Sequence, residues 1–164
     1  MTKTQHLSGT RALYFEDQAY KVEAICDFLR GKLAIHLTQA ATPREAFACL
    51  KGEQFDLVIL DVRIRDDEGT SQTPNQDWTR YGVYFLKELR EGRIPGKTPS
   101  TVPVLVITCV VSTADVEEIE RIGNSAGGRC RYLEKPVSRL AMVEEAICDL
   151  MAAQPGSSNE PATS

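Results

Sequence analysis

Short apolar segments recur along the chain, and the stretches between them carry apolar side chains at helical spacing. The most apolar segment, residues 57–60, reads Leu-Val-Ile-Leu, and Asp61 follows it directly. A run of this kind is typical of a strand buried on both faces, as in a parallel sheet covered by helices. We therefore predict a strand over residues 56–62 with a carboxylate at its carboxyl end.

The same pattern predicts four more strands and five helices. The strands are expected over residues 12–15, 34–39, 104–109 and 131–133. The helices are expected over residues 22–31, 42–50, 83–89, 112–122 and 138–152. Thr42, Pro43 and Glu45 follow each other as an N-cap, a first-turn proline and a capping glutamate, which supports the second helix. Strands that alternate with helices in this way predict an α/β fold with a parallel sheet wrapped on both faces.

One domain is expected over residues 11–153. Residues 1–10 are polar and expected to be flexible, and the Pro-, Gly- and Ser-rich residues 154–164 are expected to be disordered. A long polar loop over residues 63–81 separates the third strand from the third helix. It contains several acidic residues and Trp78, and two interpretations stay open: a solvated acidic loop, or a lid or docking surface.

Composition argues against several classes of protein. With 164 residues, 42% of them apolar and 26% charged, the chain has the make-up of an ordinary globular domain. A net charge of -4 and scattered Lys and Arg argue against direct binding of nucleic acid. No apolar stretch has the length of a membrane span, so we expect no membrane insertion and a cytoplasmic location. The five cysteines lack CxxC spacing, which argues against zinc and predicts buried free thiols: Cys26, Cys49, Cys109, Cys130 and Cys148.

Polar side chains lie at or directly after the carboxyl ends of several of the predicted strands. They are Glu16, Asp17, Asp61, Thr108 and Lys135. Because the carboxyl ends of parallel strands meet at one edge of the sheet, we expect these groups to lie close together. Clustered carboxylates raise their pKa values or bind a cation, and an all-oxygen ligand set suits Mg²⁺. A carboxylate nucleophile with a divalent cation, a lysine and a hydroxyl predicts a site for phosphoryl transfer.

Four segments, in this order, resemble the response-regulator receiver family of two-component (phosphorelay) signalling: LYFED, DLVILDV, VPVLVIT and YLEKPV. The resemblance spans residues 11–152. It implies a flavodoxin-like (βα)5 fold, a doubly wound parallel sheet of strand order 2-1-3-4-5. It also implies that Asp61 accepts a phosphoryl group from a histidine kinase or a histidine phosphotransfer protein.

The resemblance further implies a magnesium site at this edge of the sheet. Asp17 and Asp61 would bind Mg²⁺ directly, and Glu16 would act through a water molecule. The backbone carbonyl of Arg63 would be a further ligand.

Three other residues acquire roles through the resemblance. Lys135 would pair with Asp61 and, after phosphorylation, with a phosphoryl oxygen, and a cis peptide bond would precede Pro136. Thr108 would donate a hydrogen bond to the phosphoryl group. Tyr132 would be the aromatic switch that turns inward in response.

The chain departs from the receiver pattern in three places. Ile64 and Arg65 stand where a Met-Pro pair is usual, and Cys109 stands where alanine or glycine is usual. The glycine that usually opens the third helix, expected at Gly69, has its counterpart 13 residues later in Gly82. The inserted residues border the acceptor, so they bear on partner access and on the lifetime of the phosphoryl group.

We expect a signalling module and not an enzyme, with self-phosphorylation and autodephosphorylation as its only chemistry. Because only a short tail follows the domain, we expect output by contact with a downstream protein, and a homodimer is left open. The alternative is a receiver-like interaction domain that works without phosphorylation and binds its partner through the loop over 63–81. A phosphatase with an acceptor aspartate fits less well, because Arg63 stands where its second acid would be.

Overall fold

The computed structural model describes residues 6–64, 81–109 and 112–152. Strands and helices alternate throughout these ranges, as predicted. The strands are β1 (Arg11–Phe15), β2 (His36–Ala40), β3 (Leu57–Leu60), β4 (Val104–Thr108) and β5 (Cys130–Glu134). The helices are α1 (Glu23–Gly31), α2 (Pro43–Gly52), α3 (Tyr81–Arg90), α4 (Thr113–Gly123) and α5 (Leu140–Ala152), and a 3-10 helix (Ala19–Val22) precedes α1.

The five strands form one parallel sheet in the order β2-β1-β3-β4-β5, which confirms the predicted flavodoxin-like fold. The order of the strands reverses between β1 and β3, and ligands of such sheets bind beyond the carboxyl ends of the strands at this switch point. Phe15 pairs with Leu60 in the register of β1 and β3. The residues that follow these two, Glu16 and Asp61, therefore leave the sheet side by side.

Helices cover both faces of the sheet, and β3 is buried between them. Val58 and Leu60 belong to the apolar cluster under α2, α3 and α4, whereas Leu57 and Ile59 belong to the cluster under α1 and α5. All four side chains are fully buried. The prediction of a strand buried on both faces is confirmed. Asp61 follows directly after the last residue of this strand.

Local sequence signals set the start of two helices. Thr42 caps α2, because its side chain accepts a hydrogen bond from Glu45 N at 3.2 Å, and Pro43 occupies the first turn. Ser112 and Asp115 form a reciprocal capping box at the start of α4. The beginning of α4 is thereby defined close behind the end of β4.

The amino-terminal segment, predicted to be flexible over residues 1–10, contains a buried leucine. Leu7 is buried in the cluster under α1 and α5, where it joins Leu29 and Leu33. Gly9 N donates to Ala34 O at 3.0 Å. The burial of Leu7 could not be predicted, because a single leucine in a polar stretch has no periodicity that would reveal it. Residues 1–5 lie outside the described residues.

The predicted burial of the cysteines holds in part. Cys26 and Cys130 are buried, and Cys49 and Cys148 are half-buried. Cys109 is exposed, which corrects the prediction for this thiol, because β4 ends at Thr108 and the next side chain already lies beyond the sheet. Three predicted features lie outside the described residues. They are residues 65–80 of the predicted loop over 63–81, Trp78 within that loop, and the tail over 154–164.

We expect Tyr14→Phe to leave the stability unchanged or to raise it by about 1 kcal/mol. Tyr14 is 1% exposed, and its hydroxyl has no hydrogen-bond partner among the described residues. Removing a buried hydroxyl without a partner removes the cost of its desolvation. Urea unfolding measures the change, with Tyr20→Phe at a 73% exposed side chain as the control. A loss of stability at Tyr14 alone would show that a bound water satisfies the hydroxyl.

Candidate functional site

A half-buried ammonium joins two buried carboxylates at the switch point of the sheet. Lys135 Nζ, which follows β5, lies 2.7 Å from Asp61 Oδ2 and 2.5 Å from Glu16 Oε2. Glu16 and Asp61 are 4% and 5% exposed. Asp61 N donates to Phe15 O at 3.1 Å, so the backbone itself holds the two acidic residues next to each other. The resemblance to receivers implied the pairing of Lys135 with Asp61, and the structure adds Glu16 as a second partner.

The second oxygen of Asp61 accepts two further hydrogen bonds. Thr108 Oγ1 donates to Asp61 Oδ1 at 2.7 Å, and Arg63 N donates to the same oxygen at 2.9 Å. Thr108 is fully buried at the end of β4. Lys135 N donates to Thr108 O at 2.7 Å, which ties the ends of β4 and β5 together. Donors from three segments therefore orient the carboxylate of Asp61.

Burial and charge act in opposite directions on the two acids. Burial, and after it the neighbouring Asp61, raise the pKa of Glu16 to about 8, although Lys135 acts against both. Burial also acts to raise the pKa of Asp61, but the interaction with the neighbouring Glu16 carboxyl and the hydrogen bonds from Lys135 and Thr108 outweigh it and lower this pKa. Asp61 is thus the group kept as a carboxylate, which is the form that a nucleophile needs.

The remaining predicted residues surround this centre. Asp17 is half-buried directly after Glu16, and the side chain of Arg63 is exposed. Tyr132 on β5 is half-buried and packs against the cluster under α2, α3 and α4. The peptide bond between Lys135 and Pro136 is cis, as predicted.

Two contacts of the site were not predicted from the sequence. Gln18 N donates to Glu16 Oε1 at 3.0 Å, so both oxygens of Glu16 are engaged. Gly82 N donates to Val62 O at 2.9 Å, and a Cβ atom on Gly82 would lie 2.3 Å from Asp61 O. A side chain at residue 82 would therefore push α3 away from the acceptor, which explains why the glycine after the insertion stands at this position.

The acidic residues have the oxygen donors that Mg²⁺ prefers. Glu16, Asp17 and Asp61 bring three carboxylates to the strand ends, and Lys135 offsets one negative charge. Within the described ranges, no three His, Cys, Asp or Glu side chains converge as a formed metal site. Lys135 Nζ is bonded to two of the carboxylates instead. The residues fit the metal chemically, and the oxygens that would bind it include those that now accept from Lys135.

No protein-family model and no curated protein sequence matches the chain. Its structure, however, matches many solved structures. A CheY-like response regulator receiver domain from Methanospirillum hungatei matches with a TM-score of 0.64 at 20% identity, over 88% of this chain and 95% of that chain. A response regulator from Thermotoga maritima matches with a TM-score of 0.62 at 21% identity, over 88% of this chain and 99% of that chain.

A third match carries a metal ion. It is the receiver domain of a sensor histidine kinase from Pseudomonas aeruginosa PAO1, with a magnesium ion coordinated in its active site cleft. Its TM-score is 0.63 at 21% identity, over 89% of this chain and 100% of that chain. At such identities the matches show the fold: this chain has the fold of CheY-like response regulator receiver domains. Of the helices in the described ranges, none is both long and apolar enough to cross a membrane.

Proposed function

We propose that this chain is a receiver of two-component signalling that accepts a phosphoryl group on Asp61. The observation that carries the proposal is the set of donors on this one carboxylate: Lys135 Nζ at 2.7 Å, Thr108 Oγ1 at 2.7 Å and Arg63 N at 2.9 Å. They sit at the carboxyl end of β3, where ligands of such sheets bind. The phosphoryl donor is a histidine kinase or a histidine phosphotransfer protein.

The transfer follows from the chemistry of these groups. An oxygen of Asp61 attacks the phosphorus of a phosphohistidine, so that a P–O bond forms while the P–N bond breaks and its electron pair stays on the imidazole. Lys135 and Thr108, which now donate to Asp61, donate instead to oxygens of the phosphoryl group and offset its charge. Asp17, Asp61, the Arg63 carbonyl and, through a water molecule, Glu16 would hold Mg²⁺, which would supply further neutralisation of the negative charge.

The signal leaves the site through the neighbouring strands. Thr108 lies on β4 and Tyr132 on the adjacent β5. When Thr108 turns towards the phosphoryl group it leaves space that the Tyr132 ring can enter, which shifts an existing equilibrium between two conformations. The surface of α4, β5 and α5 then binds a downstream protein or a second copy of the chain, in the cytoplasm. The chain acts on no substrate beyond its own phosphorylation and dephosphorylation.

Incubation with acetyl phosphate and Mg²⁺ tests this proposal. Intact-mass measurement is expected to show the addition of one phosphoryl group in the wild type and none in Asp61→Asn. Asp27→Asn, which removes an exposed carboxylate on α1, is the matched control and is expected to behave like the wild type. An unmodified wild type, or an equal signal in Asp61→Asn, contradicts the proposal. Undiminished partner binding by Asp61→Asn would favour the phosphorylation-independent interaction domain.

A further inference from the structure

Helix α3 is buried along most of its length. Seven of its ten residues are buried, among them both the glycine near its start and the arginine at its end: Tyr81, Gly82, Val83, Phe85, Leu86, Leu89 and Arg90. A helix of this size spans about 15 Å. It therefore runs from the acceptor to Arg90 with Lys87 as its one exposed residue, so that little of the helix is free to absorb a displacement.

The amino-terminal end of α3 is in close contact with the backbone of the acceptor. Gly82 N donates to Val62 O, and the position of a Cβ atom on Gly82 lies within 2.4 Å of both Asp61 O and Val62 Cα. There is no room for the helix to approach further, and the hydrogen bond opposes separation. A change in the backbone at residues 61 and 62 must therefore move the beginning of α3.

The carboxyl-terminal end of α3 is held in place by the buried guanidinium of Arg90. Arg90 is 2% exposed and makes no ion pair among the described residues. Its Nε donates to Gly123 O at 2.7 Å, Nη1 to Ser100 O at 2.7 Å and to Val102 O at 2.8 Å, and Nη2 to Arg129 O at 3.0 Å. These carbonyls belong to the last residue of α4, to the segment before β4 and to the residue before β5. One side chain thus joins three separate segments.

Two glycines make room for this arrangement. A Cβ atom on Gly128 would lie 2.1 Å from Arg90 Nε, and one on Gly123 would lie 2.5 Å from Cys130 Sγ. The close approach of Arg90 therefore explains why residue 128 is a glycine, which the sequence pattern did not explain. The planar fork of arginine can donate to several carbonyls in fixed directions, which a lysine cannot do.

We propose that α3 is a coupling element that transmits a change at Asp61 to the carboxyl end of α4 and the start of β5, through the contact at Gly82 and the hydrogen bonds of Arg90. The coupling rests on the proposed function, because phosphorylation of Asp61 supplies the change. It is separate from the route through Thr108 and Tyr132. That route begins at Thr108, at the carboxyl end of β4, and enters β5 at Tyr132, whereas the hydrogen bonds of Arg90 reach the amino-terminal end of β5.

Amide NMR spectra with Mg²⁺ and beryllofluoride test the coupling. Asp61 and Thr108 report on the site, while Gly123 and Cys130 report on the remote end. In the wild type we expect beryllofluoride to shift all four amides. In Arg90→Lys we expect the site amides to titrate as before and the shifts of Gly123 and Cys130 to fall by at least half. Arg93→Lys is the control, because the side chain of Arg93 is exposed and, among the described residues, forms ion pairs only with Glu88 and Glu91.

The outcomes distinguish a failure of the coupling through α3 from a failure of the proposed function. Remote shifts of wild-type size in Arg90→Lys overturn the coupling and leave the route through Tyr132. A wild type in which the site shifts but Gly123 and Cys130 do not also overturns it. A wild type without any response to beryllofluoride overturns the proposed function, and the coupling with it. If Arg90→Lys does not fold, hydrogen exchange of Gly123 and Cys130 in the wild type decides: unchanged protection after beryllofluoride refutes the coupling, and altered protection supports it.

Discussion

Replacing Lys135 with methionine is expected to lower the free energy of unfolding by about 3 kcal/mol in buffer without Mg²⁺. The substitution keeps much of the side-chain volume and removes the ammonium that lies between Glu16 and Asp61. Both carboxylates are buried, so they would face each other without a cation. Protonation of Glu16, whose pKa is already raised by burial and by Asp61, limits the loss. Phosphorylation by acetyl phosphate should fall as well, because the charge on the phosphoryl oxygens loses a donor.

Added Mg²⁺ should return part of this stability. A ligand that binds only the folded state at 100 times its dissociation constant stabilises by about 2.7 kcal/mol. Because Lys135 no longer competes for the carboxylates, we expect Mg²⁺ to stabilise Lys135→Met more than the wild type. Urea unfolding with EDTA or with Mg²⁺ measures both effects. Lys87→Met, at an exposed lysine on α3, is the control and should change little. A loss in Lys135→Met no greater than in this control would show that the ammonium contributes nothing to stability.

Arg90→Met is expected to lower the free energy of unfolding by about 3 to 5 kcal/mol. The substitution removes four hydrogen bonds, of which those to Gly123 O and Val102 O are buried and those to Ser100 O and Arg129 O are part-buried. An acceptor left unsatisfied in this way costs about 1 to 3 kcal/mol, although Arg129 O keeps its bond from Val104 N. The loss is large against the total stability of a domain, which is about 5 to 15 kcal/mol.

A nearby arginine provides the control for this measurement. Arg93 forms ion pairs with Glu88 and Glu91, and its side chain is 59% exposed. Surface ion pairs contribute about 1 kcal/mol or less, so Arg93→Met should unfold at nearly the wild-type concentration of urea. Equal midpoints for the two variants would mean that the hydrogen bonds of Arg90 do not stabilise the fold.

Local patterns predicted the elements that position the acceptor. Residues 57–60 could be recognised as a doubly buried strand because four apolar residues in a row leave no polar face. Thr42 could be recognised as a cap because its partner, Glu45, is only three residues away. Once a parallel sheet was inferred, Asp61 and Lys135 could be placed together, since strand ends meet at one edge. Their contact at 2.7 Å agrees with that reasoning.

Contacts between distant segments escaped prediction. Arg90 carried the signal of an ordinary charged residue in the last turn of a helix, yet its carbonyl partners lie up to 39 residues away. Leu7 had the signal of an isolated apolar residue in a polar segment, yet it is buried. In both cases the partners are backbone or side-chain atoms that no spacing along the chain reveals.

Hydrophobic periodicity and capping are local properties, and they were enough to predict the α/β class, the order of the elements and the residues at the carboxyl ends of the strands. Three features became visible only in the folded domain: Lys135 joins Glu16 as well as Asp61, Gly82 allows α3 to contact the acceptor, and Arg90 is buried. These features depend on how closely packed elements approach each other. That distance follows from the packing of the whole domain and from no single stretch of the chain.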